Sequence, residues 1–178
     1  MFLLTEQRKD FFITTWGKQK FMNEAMDYPV YIFPSTENLS SLQAVALLEK
    51  TRSFLASWNS HGQPILAEAR VEESRFLVVE LKGGTASGCS KDKLFRMLGE
   101  AGDQLGIHFD SSGKFLLEWQ DNVIALSRKE LNDSILNSEF LESARLFPVW
   151  ISSLTEYESL WKKPLSAFPQ LFPAFRLV

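Results

Sequence analysis

The sequence holds one cysteine and two histidines in 178 residues. A lone cysteine closes no disulfide within the chain, so nothing here asks for an oxidising compartment. One thiol and two imidazoles set far apart cannot make the usual ligand set of a zinc site. No apolar run approaches the length of a membrane span. Met1 to Glu6 lack the basic segment and the long apolar stretch of a secretory leader. Neither sign of charge is in excess: 19 Lys and Arg face 22 Asp and Glu, for a net charge of −3. That balance argues against a general binder of nucleic acid or of membrane surfaces. The expectation is a cytoplasmic protein with no implied metal or cofactor.

What the sequence does have is core-building material. Hydrophobic residues make up 45% of it, with 15 Phe and 5 Trp, which is not a disordered composition, and the length suits one domain. Val30 to Phe33, bounded by Pro29 and Pro34, reads as a strand without polar alternation, as burial on both faces would give. Ser40 and Gln43 make a capping box, after which Leu47, Leu48, Thr51, Phe54, Leu55 and Trp58 recur at helical spacing. Ile65, Ala67, Ala69 and Val71 alternate with Leu66, Glu68 and Arg70, the pattern of a strand with one buried face. Glu72-Glu73-Ser74 is the expected turn into a central strand, Arg75 to Leu81. Leu94, Met97, Leu98, Ala101 and Leu105 line a second helix, with Gly106 as its C-terminal cap.

Lys114 to Trp119 and Val123 to Leu126 flank Gln120-Asp121-Asn122 as a hairpin with a three-residue loop. Arg128 to Leu136 reads as a short helix and Phe147 to Ile151 as a last strand. Thr155-x-x-Glu158 is a second capping box. From Val30 to Trp119 the order is strand, helix, strand, strand, helix, strand. That order predicts an α+β protein with a ferredoxin-like βαββαβ core over about residues 30–119. The fourth strand would lie beside the first, with the second strand at an edge. Three parts follow: an N-terminal helical arm over residues 1–28, a single α+β domain over 29–163, and an extended Phe/Pro-rich tail over 164–178. In the tail, Phe168-Pro169, Phe172-Pro173 and Phe175 either cover a groove of their own domain or engage a partner. A homodimer through the arm or the tail is one such arrangement.

Between the third strand and the second helix lies Gly83-Gly84-Thr85-Ala86-Ser87-Gly88-Cys89-Ser90-Lys91-Asp92-Lys93. Its glycines exceed what a strand-to-helix connection needs. Ser90 is the expected N-cap, and Asp92 suits the first turn. Lys91 and Lys93 sit poorly at the positive end of a helix dipole unless an anion binds there; solvated lysines are the plainer reading. Two enzyme motifs fail. Gly83-x4-Gly88 has Cys89 where a P-loop needs its phosphate-binding lysine. Ser90-x-x-Lys93 lacks the companion motifs of penicillin-binding enzymes.

The predicted topology gathers Trp58, Asn59, His61, Gly88, Cys89, Ser90, Lys91 and Asp92 at one end of the sheet, with the Gln120-Asp121-Asn122 loop joining them and His108 at the opposite end. A thiol at a helix N-terminus beside an imidazole is a candidate nucleophile, with Asn59 or Asp92 to orient the ring. The bland alternative is a small buried Cys89 and a histidine that bonds a nearby carbonyl. Three readings follow: a non-enzymatic protein binding a ligand or partner at this end, a Cys89–His61 thiol enzyme, and a module for phosphate or carboxylate.

The phrases Val30-Tyr31-Ile32-Phe33, Phe54-x-x-x-Trp58-x-x-His61-Gly62, Arg75-Phe76 and Ser87-Gly88-Cys89-Ser90-x-Asp92-Lys93 resemble a family of small bacterial proteins of unknown function. The resemblance spans about residues 30–161. Some members carry an ABC-transporter ATPase label. The resemblance brings no activity with it, and the residues here do not support an ATPase.

Overall fold

In the computed structural model, which describes residues 27–110 and 112–172, the elements fall in this order. First come β1 (Val30–Pro34), α1 (Ser41–Leu55), β2 (Asn59–Ser60), β3 (Gln63–Pro64), β4 (Leu66–Glu72), β5 (Phe76–Gly83) and α2 (Gly88–Leu105). Then follow β6 (Phe115–Trp119), β7 (Asn122–Leu126), α3 (Arg128–Ser134), α4 (Ser138–Ser143), β8 (Arg145–Phe147), α5 (Leu154–Leu160) and β9 (Lys163–Pro164). Two 3₁₀ turns, Leu165–Ala167 and Pro169–Leu171, close the described chain. The protein is α+β with antiparallel sheets; most of the expected N-terminal arm lies outside the described residues.

β5 is apolar because it is covered twice. Leu77, Val79 and Leu81 pack with α1 and α2 through Leu47, Leu55, Leu94 and Leu98. Phe76 and Val78 point the other way, against Leu116 and Phe147 of a second sheet. Burying a side chain such as Phe76 contributes about 2–3 kcal/mol. Four layers result: helices α1 and α2, the sheet β1-β5-β4, the sheet β7-β6-β8-β9, and a last layer of α3, α4 and the 3₁₀ turns.

This arrangement corrects the expected fourth strand. Phe115–Trp119 does not pair with β1; it pairs with β7 and β8 in the second sheet. The place beside β1 is taken instead by the chain just after α2. Ser35 and Phe109 form an antiparallel bridge, Thr36 N–H donates to His108 O, and Asp110 N–H donates to Pro34 O. The other end of the same edge is covered by a Pro29–Ser153 bridge, with Val30 N–H donating to Ser152 O. The first three strands do take the order expected of them, with β4 at an edge.

Local signals account for most boundaries. The Ser40–Gln43 box caps α1, and Gly106, at φ 65°, ends α2 in the left-handed conformation. The Gln120–Asp121 turn is two residues long, one shorter than the sequence implied, while the β4–β5 connection keeps three residues but lies one place later, at Glu73, Ser74 and Arg75. Glu73, Ser74, Gln120 and Asp121 all have φ between 50° and 59°. Positive φ at both central residues matches the right-handed twist of the flanking strands. α5 is capped by Ser153 rather than Thr155. The strand expected at Phe147 to Ile151 lies earlier, at Arg145–Phe147, and a further short strand, β9, follows it. From Pro164 to Phe172 the chain is not an extended tail: Leu165, Phe168 and Phe172 are buried in a core cluster with Leu117, Phe140 and Leu146, while Pro173 and Phe175 lie outside the described residues.

Candidate functional site

The expected site begins where α1 ends. Trp58 follows the helix and is buried, its indole N–H donating to Ser90 O at 3.0 Å. Asn59–Ser60 and Gln63–Pro64 then form a small hairpin, β2–β3, turned by His61 (φ 50°) and Gly62 (φ 78°). Ser60 is buried, and its hydroxyl accepts from Ser87 N–H at 3.3 Å. These two bonds fasten the hairpin that carries His61 to the start of α2, which carries Cys89. The sequence offered no strand signal for this hairpin; His61-Gly62 as a left-handed pair was the available clue.

The cap of α2 is Ser87, not Ser90. The Ser87 hydroxyl accepts from Ser90 N–H, and the two hydroxyls lie 2.8 Å apart. Ser90 is buried in the first turn. Gly84 explains the glycine-rich approach: its φ is 80°, and a Cβ there would stand 2.8 Å from Pro64 O. Gly88 is different, since a Cβ on it would meet nothing within 4 Å.

Cys89 and His61 are both exposed. Among the described residues neither side chain has a hydrogen-bond partner, and the Asp92 carboxylate, also exposed, has none. Asn59 donates its amide to Ser57 O. No third group therefore orients the His61 ring as a catalytic relay requires. Lys91 lies over the face of Tyr31, 5.8 Å from the ring centroid, which gives that lysine a place without an anion. The Gln120–Asp121 loop is not at this end. Val123 O beside it accepts from Arg75, next to the Glu73–Ser74 turn. That places it at the opposite end of the first sheet, because β6 and β7 belong to the second sheet.

A groove of about 630 Å³ runs beside the hairpin, between the last turn of α1 and β4. Leu55, Ala56, Trp58, Ile65 and Ala67 give it an apolar lining, and Arg52, Glu68 and Lys82 add charge. Of the eight predicted site residues, Trp58 alone is in its lining; Gly88 to Asp92 lie outside it.

A second polar constellation lies on the face of β4 turned away from the helices. Arg70 Nε is 2.7 Å from Glu72, and Arg70 Nη1 is 3.0 Å from Glu80. Glu72 also accepts from the Tyr157 hydroxyl and from Trp161 Nε1. Arg70 lies over the Tyr157 ring at 4.9 Å, and Lys82 bonds Glu80. Burial opposes the charge on Arg70, yet its bonds to Glu72 and Tyr157 hold its pKa above the ordinary arginine value. Burial, then the bond to Glu72, raises the Tyr157 phenol above its usual range. Alternation predicted that Arg70 points away from the buried face, but Glu72 was expected in the turn rather than at the end of β4, and nothing in the sequence joined either to Tyr157 and Trp161. Each of these groups has a partner, so the constellation fastens α5 to β4.

Among the described residues no group of three or more His, Cys, Asp or Glu side chains could hold a metal ion, and no helix is long and apolar enough to cross a membrane. Compared with known proteins, the chain matches no family model, no curated protein and no solved structure.

Proposed function

We propose that the chain is a non-enzymatic binding protein whose recognition surface is the sheet end built from Trp58 to Ala69, with His61 and Cys89 on its rim. The observation that carries this reading is the groove between α1 and β4, the size of a ligand pocket and mostly apolar with a few charged groups at its sides. The thiol and imidazole, both exposed and without a side-chain partner among the described residues, favour binding over thiol catalysis. We also infer that the β1-β5-β4 order, backed by α1 and α2, is a ferredoxin-like half whose fourth position is held by the Phe109 bridge. The resemblance to small bacterial proteins of unknown function and the expectation of a cytoplasmic protein belong with this reading.

The test is a fluorescence titration with bis-ANS, a dye that lights up in apolar grooves. The native chain should bind it, and Ala56→Trp, which fills the groove from an exposed position, should weaken binding about tenfold. Equal binding by the two proteins would remove the groove from the proposal. For the thiol alternative, alkylation of Cys89 is followed against pH. A rate that stays high well below the range where ordinary thiols react would revive the enzyme.

A further inference from the structure

The binding surface has a backbone component as well as a groove. Leu81 N–H donates to Pro29 O and Ser35 N–H to Arg75 O. The odd-numbered residues of β5 therefore direct their backbone groups toward β1, and the even-numbered ones toward β4. The register Ala67↔Leu81, Ala69↔Val79 and Val71↔Leu77 then turns the backbone groups of Ala67, Ala69 and Val71 away from β5. Among the described residues no strand pairs with that edge. An open edge is a template for another strand.

The side chains along the edge are self-complementary. Take two copies of β4 antiparallel about a two-fold axis at Ala69. Ala69 meets Ala69, and Ala67 meets Val71, all on the helix-backed face that lines or adjoins the groove. On the other face Glu68 meets Arg70 twice, as close non-hydrogen-bonded pairs. Glu68 is 72% exposed and Arg70 is 36% exposed, so a second chain can reach both even though Arg70 already holds Glu72 and Glu80 and Glu68 lies 3.6 Å from Lys82. A shift of the pairing by one residue would break the facial alternation, and this register avoids like charges directly opposite each other.

We infer that the occupant of this edge is a second copy of the chain, joined β4 to β4 into one continuous six-stranded sheet, with Val71 of each copy closing the groove beside Ala67 of the other. This inference rests on reading the α1–β4 side as the binding surface.

The experiment is light scattering on the full chain over about 1–100 µM, with Ala69→Pro and Glu68→Lys beside the native protein. Proline at position 69 removes an outward N–H and leaves the β4–β5 ladder its own bonds. Circular dichroism checks that both variants are folded. The native chain is expected as a dimer, Ala69→Pro as a monomer, and Glu68→Lys as a dimer about tenfold weaker, recovering in part at high salt. A native monomer at the top of the range overturns the inference, as does a dimer that both substitutions leave unchanged. The dye titration judges the groove separately: dye binding by a native monomer would overturn the second copy and leave the binding surface standing.

Discussion

The two ends of β4 use polar residues in opposite ways. Near the Glu73–Ser74 turn, Arg70, Glu72, Tyr157 and Trp161 satisfy one another and join layers that come from distant parts of the chain. Near Leu66, the hairpin and the start of α2 hold His61, Cys89 and Asp92 in the open, while the buried Ser60 and Ser90 and the half-buried Ser87 only fasten the hairpin and the helix start to each other. Chemistry-bearing residue types therefore do not mark function by themselves. The difference between the two ends is whether the groups are consumed by contacts within the chain.

The contrast can be broken by substitution. The largest loss is expected from Phe76→Ala, about 3–5 kcal/mol in denaturant unfolding, because Phe76 is fully buried between the sheets against Phe147 and Trp161. Glu72→Ala should follow, at about 2–3 kcal/mol. It removes the acceptor of Tyr157 and Trp161 and one of the two carboxylates on Arg70. A double-mutant cycle of Glu72 with Trp161 should show coupling of about 1 kcal/mol or more. Ser87→Ala, which uncaps α2, is expected to cost about 1 kcal/mol. Smallest of all, Cys89→Ala should shift stability by no more than about 0.5 kcal/mol, since the exposed thiol has no partner among the described residues. A Cys89→Ala loss as large as that of Glu72→Ala would erase the distinction between the two ends.

Much of the first sheet was legible because its signals are local. The alternation from Ile65 to Val71, the apolar run of β5 and the Ser40–Gln43 box each name a face or a boundary without reference to distant residues. The fourth position was not legible. His108 to Asp110 contribute one bridge and carry no strand pattern, while Phe115 to Trp119 look like a strand and belong to another sheet. Pairing partners far apart in sequence leave no periodic trace. The Gln120–Asp121 loop moves with that strand, because β6 pairs with β7 and β8 rather than with β1. At the rim, Ser87 and Ser90 are both plausible caps three residues apart. The choice was settled by Ser60 and Trp58, which hold Ser87 N–H and Ser90 O from the neighbouring hairpin.

The rear face of the first sheet has a consequence for synthesis. Phe76 and Val78 leave the ribosome long before Phe147, Ile151 and Tyr157, the residues that cover them. At bacterial or eukaryotic elongation rates the gap lasts seconds, at about 5–20 residues per second. During that interval α1, α2 and three strands can already assemble, with a bare apolar wall of Val30, Ile32, Phe76 and Val78 facing solvent. The nascent chain thus passes through a sticky half-built stage, and the emergence of Trp161 ends it.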